Sequence, residues 1–354
     1  MQDALLTVVI PFYNAARTVL RAADSVLQQP CADRIELLLV DDGSSDQSGT
    51  ICDQYAENHA QTARVRVLHK VNGGGASARN SGIQAAQGRY VCFLDADDWW
   101  ENGFFDPQLV RLLGEDFDLY NFSYQSVSPD LRWRKIYPLE DKEQRDLQPD
   151  CERPYYIRHW ACIHRREYLL KNEIYYPLCK INEDVPFMHL SSALARSVKS
   201  CSKVMVNYWL NPKSCVHTSS STVMIDEILK SLRMEEDMFR ARGFEYSNDR
   251  EMLSEMIRKL PMLCAQMSYR ELRKHLNQPS FELLWQEEIK PWRDLCHQEA
   301  AFKKHPFLFW ARSRLSSGLP MVTKQLLYRS AALMKCACFL RYRLLLRWDR
   351  QSQA

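Results

Sequence analysis

No CxxC pair and no zinc-like ligand spacing occurs among the twelve cysteines of this 354-residue chain, so neither a zinc ribbon nor a dithiol redox motif is indicated. Several cysteines, Cys92 and Cys264 among them, sit inside apolar runs where a reduced thiol packs as a small hydrophobe. No run of 18 or more uncharged apolar residues is present, which excludes a membrane-spanning helix on sequence grounds. No leader pattern precedes the first strand: Met1 to Leu6 runs straight into it, and the expectation is a reducing, cytoplasmic compartment. Internal repeats and low-complexity tracts are also missing. What is abundant is apolar residue, 46% of the chain, enough for a sizeable core.

The formal net charge of +3 is unevenly spread. Residues 301–350 hold eleven Lys or Arg and one acid, Asp349, a local charge of +10 that leaves about −7 for the remainder. Placed at ~100° per residue, Lys324, Lys335, Arg343, Arg329 and Arg347 share one side of a helix over Met321–Trp348, with Val322, Leu326, Leu327, Leu333, Met334, Leu344 and Leu345 on the other. Such a basic amphipathic helix suits an anionic bilayer surface, and the alternative is a helix that packs on the rest of the protein. With no recognised nucleic-acid module beside these residues, nucleic acid is not an expected partner.

Within the first hundred residues, continuous apolar runs alternate with helical patterns. Thr7–Ile10, Ile35–Val40, Val65–His69 and Tyr90–Leu94 read as strands; Ala15–Gln28, Asp46–Asn58 and Ser77–Gln87 read as helices. The expected fold class is α/β, a mixed, mostly parallel sheet with helices on both faces. Further on, a strand pattern over Phe117–Ser126 precedes a polar, aromatic-rich stretch to about Pro154. Tyr155–Leu170 reads as a helix, Ile181–Ala195 as another, and Val204–Leu210 as a last strand. A catalytic domain over 1–221 and a helical C-terminal region over 222–354 are expected.

In such sheets ligands bind beyond the carboxyl ends of the strands, and three strands here end in suggestive residues. Tyr90–Leu94 runs into Asp95, Asp97 and Asp98, three carboxylates in four residues. Their mutual repulsion calls for compensation, either by a divalent cation with hard oxygen ligands or by the N-terminal turn of a following helix. Asp41-Asp42-Gly43-Ser44 ends the second strand, as an acceptor for a nucleobase or ribose or as an Asp-Gly turn. Pro11, Tyr13 and Asn14 end the first strand, where Tyr13 and Asn14 either flank a base or pack ordinarily. Gly73-Gly74-Gly75 lets backbone approach a ligand, and Arg79, about a turn into the next helix, can meet phosphate or solvent. That glycine spacing is neither GxGxxG nor the GxxxxGK of a phosphate-binding loop.

Together the segments VVIPFYNAARTV, ELLLVDDGSSD, NGGGASARNSGI and YVCFLDADDW resemble the family 2 glycosyltransferases of the GT-A fold, in that family's order and spacing. The resemblance implies inverting transfer of a sugar, expected from a UDP-sugar donor, with Mn²⁺ or Mg²⁺. It places Asp41 or Asp42 near the base, Arg79 near the diphosphate, Asp95 near the ribose, and Asp97, with Asp95, at the metal. Lys180–Met188 (KINEDVPFM) resembles the family's Glu-Asp motif, which makes Asp184 the candidate general base. The segment VNYWLNPKSCVH resembles a tyrosine-rich stretch that follows it, with His217 either completing a metal site or lying in a polar loop. Leu210, Cys162 and Cys179 depart from the family's usual Arg, Lys and Gly, and these departures bear on the acceptor side. The acceptor implied is a saccharide or lipid-linked saccharide of a surface polymer, met at the inner face of the cytoplasmic membrane. A sugar-nucleotide nucleotidyltransferase and a non-catalytic nucleotide-sugar-binding protein are the rival classes; the first needs a triphosphate loop that Pro11–Arg17 lacks.

Overall fold

The computed structural model of the chain describes residues 4–61, 63–151, 153, 158–211 and 221–244. Leu6–Phe12 (β1) and Ile35–Asp41 (β2) are buried along their whole length, as continuous apolar runs are when both sheet faces are covered. They pair in parallel from Leu6 opposite Ile35 to Phe12 opposite Asp41. Helix α1 (Val19–Leu27) connects them and turns Val19, Ala22, Ala23 and Val26 inward, the face expected from its spacing. Helix α2 (Ser48–His59) leads to β3 (Arg64–His69) outside β2, and α3 (Gly75–Ala85) leads to β4 (Tyr90–Phe93) on the far side of β1. A Cβ on Gly82 of α3 would stand 2.3 Å from Val9 Cγ1, so only glycine lets this helix lie so close to β1.

After β4 the chain forms β5 (Trp99–Trp100), α4 (Pro107–Leu113), β6 (Leu119–Val127) and two short strands, β7 (Arg134–Tyr137) and β8 (Lys142–Gln144). Then come β9 (Cys162–Arg165), α5 (Arg166–Lys171), α6 (Asp184–Leu194), β10 (Val198–Trp209) and α7 (Ser221–Arg240). The sheet order is β3-β2-β1-β4-β9-β6-β10-β5, with β7 on β6 and β8 on β10. Strand β9 is antiparallel to both β4 and β6, while β10 runs parallel to β6. The carboxyl ends of β1–β4, β6 and β10 therefore share one rim of the sheet.

The helix expected over Tyr155–Leu170 is not what forms: His159–Ala161 is a 3-10 turn, Cys162–Arg165 is strand β9, and only Arg166–Lys171 is helical. Cys162, Ile163 and His164 are buried between β4 and β6, and pairing on both edges outweighs the local helical spacing. The last strand is also longer than Val204–Leu210, because register shifts at Cys201/Val204 and Val204/Val206 interrupt its alternation.

The described residues up to 211, together with those from Lys230 onward, form one compact unit; residues 221–229 fall in a second. The sequence places the end of the catalytic domain near Ser221, and the later turns of α7 nevertheless belong with the sheet. Ser231 donates to the Asn182 carbonyl at 2.9 Å, buried Glu235 meets buried His189 of α6 at 2.5 Å, and Phe239 packs on the same imidazole. These contacts fix α6, whose first residue is Asp184. The basic stretch Met321–Trp348 and His217 lie outside the described residues. Among the described residues no helix is long and apolar enough to cross a membrane.

Candidate active site

Two loops at the sheet rim are tied down by their own acids. Asp41 Oδ1 accepts from the Ser44 amide at 2.9 Å, and Oδ2 faces His69 Nδ1 at 3.0 Å. Burial works against the Asp41 charge, but the bonds from Ser44 and His69 more than offset it and hold the carboxyl below its usual range. Asp42 is buried and accepts three bonds, from Lys70 Nζ at 2.6 Å and the amides of Gly73 at 3.0 Å and Gly74 at 2.7 Å. The glycine segment is thus folded over Asp42, and Gly74, at φ +87°, opens α3 in a conformation other residues resist. Asn14, at φ +52°, accepts from the Ser45 and Asp46 amides and stitches the β1 exit to the β2 exit. Pro11 is buried opposite Val40, just past the last β1–β4 pair, Val9–Phe93, where its missing N–H costs no ladder bond. Tyr13 projects, with 52% of its surface exposed.

The third rim element is different. Arg79 of α3 is buried and splits its guanidinium between two acids: Nη2 to Asp95 at 2.7 Å and Nη1 to Glu183, just before α6, at 2.7 Å. The His159 ring, 4% exposed, lies between Asp95 at 3.9 Å and Asp184 at 3.7 Å. Tyr176 completes the enclosure, stacked on Phe187 with ring centres 3.8 Å apart and 5.5 Å from the Arg79 guanidinium carbon. Residues distant in sequence, Arg79, Asp95, His159, Glu183 and Asp184, therefore form one chain of opposite charges.

Next to it, Asp97 accepts from Asn211 Nδ2 at 2.8 Å, and its carbonyl accepts from Arg21 Nη2 at 2.5 Å. The Arg21 guanidinium lies 4.2 Å from the Trp99 ring centre and 5.2 Å from that of Trp209. Asp98 is wholly buried; Oδ1 accepts the Trp209 amide at 2.7 Å, while Oδ2 has no hydrogen-bond partner.

Charge states separate accordingly. Burial, and then the charge of Asp95, raises the Asp97 carboxyl above its usual range; burial and both neighbouring aspartates raise Asp98 well above it. Burial opposes ionisation of Asp95 too, but Arg79 and His159 more than compensate and hold it low. The Glu183–Asp184 pair divides: burial raises Glu183 despite Arg79, whereas His159 and Arg79 outweigh burial at Asp184 and keep it low. Two adjacent acids pushed in opposite directions are an arrangement suited to proton transfer.

All the carboxylates singled out in the sequence thus stand on one rim. Arg79, expected near a diphosphate, has both Nη groups on carboxylates. The sequence reading missed His159, Tyr176 and Arg21. His159 was hidden because its segment reads as helix, while Arg21 carries no local signal beyond its place on the side of α1 opposite Val19, Ala22, Ala23 and Val26. Among the described residues no three His, Cys, Asp or Glu side chains gather to hold a metal by themselves. Asp97 and Asp95 are the candidates for one or two carboxylate bonds to an ion otherwise held by water and phosphate.

The mixed, mostly parallel sheet with an acidic site at its carboxyl rim is a GT-A-like architecture. Residues 7–169 match the family model described as "Glycosyl transferase family 2". The chain is 28% identical over 273 residues to "Uncharacterized glycosyltransferase EpsJ" of Bacillus subtilis, covering 74% of this chain and 77% of that protein. It is 38% identical over 121 residues to "Glycosyltransferase GlyG" of Streptococcus pneumoniae, 34% and 39% of the two chains. It is 30% identical over 191 residues to "Minor teichoic acid biosynthesis protein GgaB" of B. subtilis, 52% of this chain and 20% of that one. The fold is similar to that of "S. aureus TarS 1-349 in complex with UDP-GlcNAc", with a TM-score of 0.50, 18% identity, and 81% and 88% of the chains covered.

Proposed function

We propose that this protein transfers a sugar, with inversion, from a UDP-sugar to a hydroxyl of a saccharide or lipid-linked saccharide during synthesis of a cell-surface polymer. The single observation that carries the reading is the link between the two acidic segments: Arg79 and His159 tie Asp95 to Glu183 and Asp184. A donor-side and an acceptor-side acid are then neighbours. Asp184, held ionised, takes the acceptor hydroxyl proton as that oxygen bonds the anomeric carbon. The bond from this carbon to the diphosphate breaks on the opposite face, and the nucleoside diphosphate leaves with the electron pair. Arg79 keeps both segments in place and adds positive charge beside the departing group. Asp41 and Asp42 shape the nucleoside side of the rim, with Tyr13 exposed there for stacking on the base.

The residues fit a divalent cation: Asp97 is a half-buried carboxylate raised above its usual range by burial and by the charge of Asp95 beside it. Asp97, with Asp95, would hold Mn²⁺ or Mg²⁺, which when bound supplies charge neutralisation to the diphosphate. The UDP-GlcNAc complex of TarS and the teichoic acid role of GgaB belong to those proteins, and they guide the choice of donor and acceptor class. The test is a panel of UDP-sugars with Mn²⁺ and the full chain, with nucleotide release as readout. Release from one donor that is lost in Asp184→Asn and Asp97→Asn is expected; undiminished release in both variants overturns the roles.

A further inference from the structure

Among the described residues of the sheet-bearing unit, the exposed large apolar side chains are Tyr13, Val71, Leu131, Trp133, Ile136 and Leu178. All belong to the rim that carries the acids: Tyr13 follows β1, Val71 follows β3, Leu178 lies in the loop that leads to Glu183, and the other three form the β6–β7 hairpin. The opposite end of the sheet is different in kind, with a cavity of about 360 Å³ lined in part by Arg64, Arg89 and Arg166.

The hairpin is built to present its apolar tip. Ser128 donates its amide to the Trp133 carbonyl at 3.1 Å, and its hydroxyl accepts from the Arg132 and Trp133 amides at 3.0 and 3.1 Å. Leu131 sits at φ +61°, a conformation that branched L side chains resist, and is 55% exposed. Trp133 and Ile136 are 51% and 56% exposed. Between them stand Arg132, Arg134 and Lys135, against one acid in the hairpin, Asp130. Asp130 pairs with Arg132 at 3.4 Å, and the Arg132 side chain remains 85% exposed. The hairpin is coupled to the site through Trp209, whose indole N–H donates to the Pro129 carbonyl at 3.3 Å while its amide donates to Asp98 at 2.7 Å.

We infer that the β6–β7 hairpin is a membrane-docking wedge, which seats the acidic rim of the sheet against an anionic bilayer. The occupant follows from the chemistry presented. Tryptophan and branched aliphatic side chains alternating with Arg and Lys match the interface of a bilayer with anionic headgroups. Leu131 and Ile136 offer nothing to hydrogen-bond a saccharide. The consequence, delivery of a lipid-linked acceptor to Asp184, rests on the proposed transferase reading; the lipid contact itself does not.

The full chain is tested on vesicles of phosphatidylcholine with roughly one-third phosphatidylglycerol, which supplies the anionic surface. L131S/W133S/I136S should partition at least about ten-fold more weakly than the unaltered chain, since three apolar side chains no longer leave water. Emission from Trp133, taken as the difference between the unaltered chain and W133F, should be quenched by brominated acyl chains. Hydrolysis of a free nucleotide-sugar should be equal in the triple variant and the unaltered chain. Undiminished partition of the triple variant, or Trp133 emission that vesicles leave unquenched, overturns the wedge. So does a triple variant that loses binding to a soluble saccharide or a second copy of the chain instead of to vesicles. Hairpin-dependent partition without any donor hydrolysis would instead sink the transferase reading and leave the wedge standing.

Discussion

The acids that end β2 and those that follow β4 make an instructive pair. Asp41 and Asp42 are satisfied on the spot by amides, a serine, a histidine and a lysine. Asp97 and Asp98 each accept an amide N–H, from Asn211 and Trp209, yet both are pushed toward the neutral form by burial and by neighbouring aspartates, and one Asp98 oxygen bonds nothing. A carboxylate whose lone pairs are filled by its own loop is a builder of that loop. One that folding leaves short of positive charge stores unfavourable energy that a ligand can release. The motifs look alike in sequence, and their surroundings give them opposite parts.

The largest effects should fall on activity and spare stability. Asp184→Asn should lower transfer by about 10²–10⁴-fold, the range of a lost general base, with its thermal midpoint little changed. Asp97→Asn should also lower transfer, and it should abolish any Mn²⁺-dependent rise in melting temperature seen with UDP. A large fall in stability for either variant would break the contrast with the β2 acids. Asp42→Ala should show the reverse pattern. With Lys70 and two glycine amides left without their acceptor, the loss is expected at about 2–4 kcal/mol in urea unfolding. A stable Asp42→Ala chain would remove the loop-building role.

Two of the buried imidazoles sharpen the point. His159, among carboxylates, is raised above its usual value although burial and Arg79 oppose this. His164 has burial first and the nearby His159 second to disfavour its charge, and it is pushed down to about 3. Its folded pKa lies below its unfolded value of about 6.5, so the unfolded chain takes up the proton first as pH falls. Stability from this residue is complete above about pH 6.5 and declines toward pH 3, by about 2 kcal/mol at pH 5. His164→Phe should flatten that part of a melting profile measured from pH 8 to pH 5; an unchanged slope would refute the assignment.

The smallest effect expected is a gain. Asp98→Asn keeps an acceptor for the Trp209 amide and removes a charge that burial opposes, so at pH 8 without divalent cations it should stabilise by roughly 1 kcal/mol. A loss of stability there would mean that Asp98 is better satisfied than its surroundings indicate.

Much of this was legible in the chain. The mostly apolar stretches Thr7–Ile10, Ile35–Val40 and Tyr90–Leu94 announce a parallel sheet because strands covered on both faces read as near-continuous apolar runs. The acids that end those strands were legible for the same reason, since a strand's last residues emerge at the rim where polar groups are tolerated. Strand β9 was not legible. Cys162, Ile163 and His164 have no strand pattern of their own and become a strand because β4 and β6 leave a gap of one strand's width between them. With β9 unread, His159 at its entrance went unread as well. The β6–β7 hairpin was likewise only a polar, aromatic-rich stretch until pairing with β6 showed which side chains it leaves in solvent.

The order of residues along the chain determined the elements of the first half and the acids at their ends, because apolar periodicity and turn chemistry act over a few neighbouring positions. The tertiary structure alone decided which acids are quenched and which are left wanting. That depends on Arg79 reaching Glu183 across 104 positions and on Trp209 reaching Asp98 across 111, and charge interactions are set by distance in space.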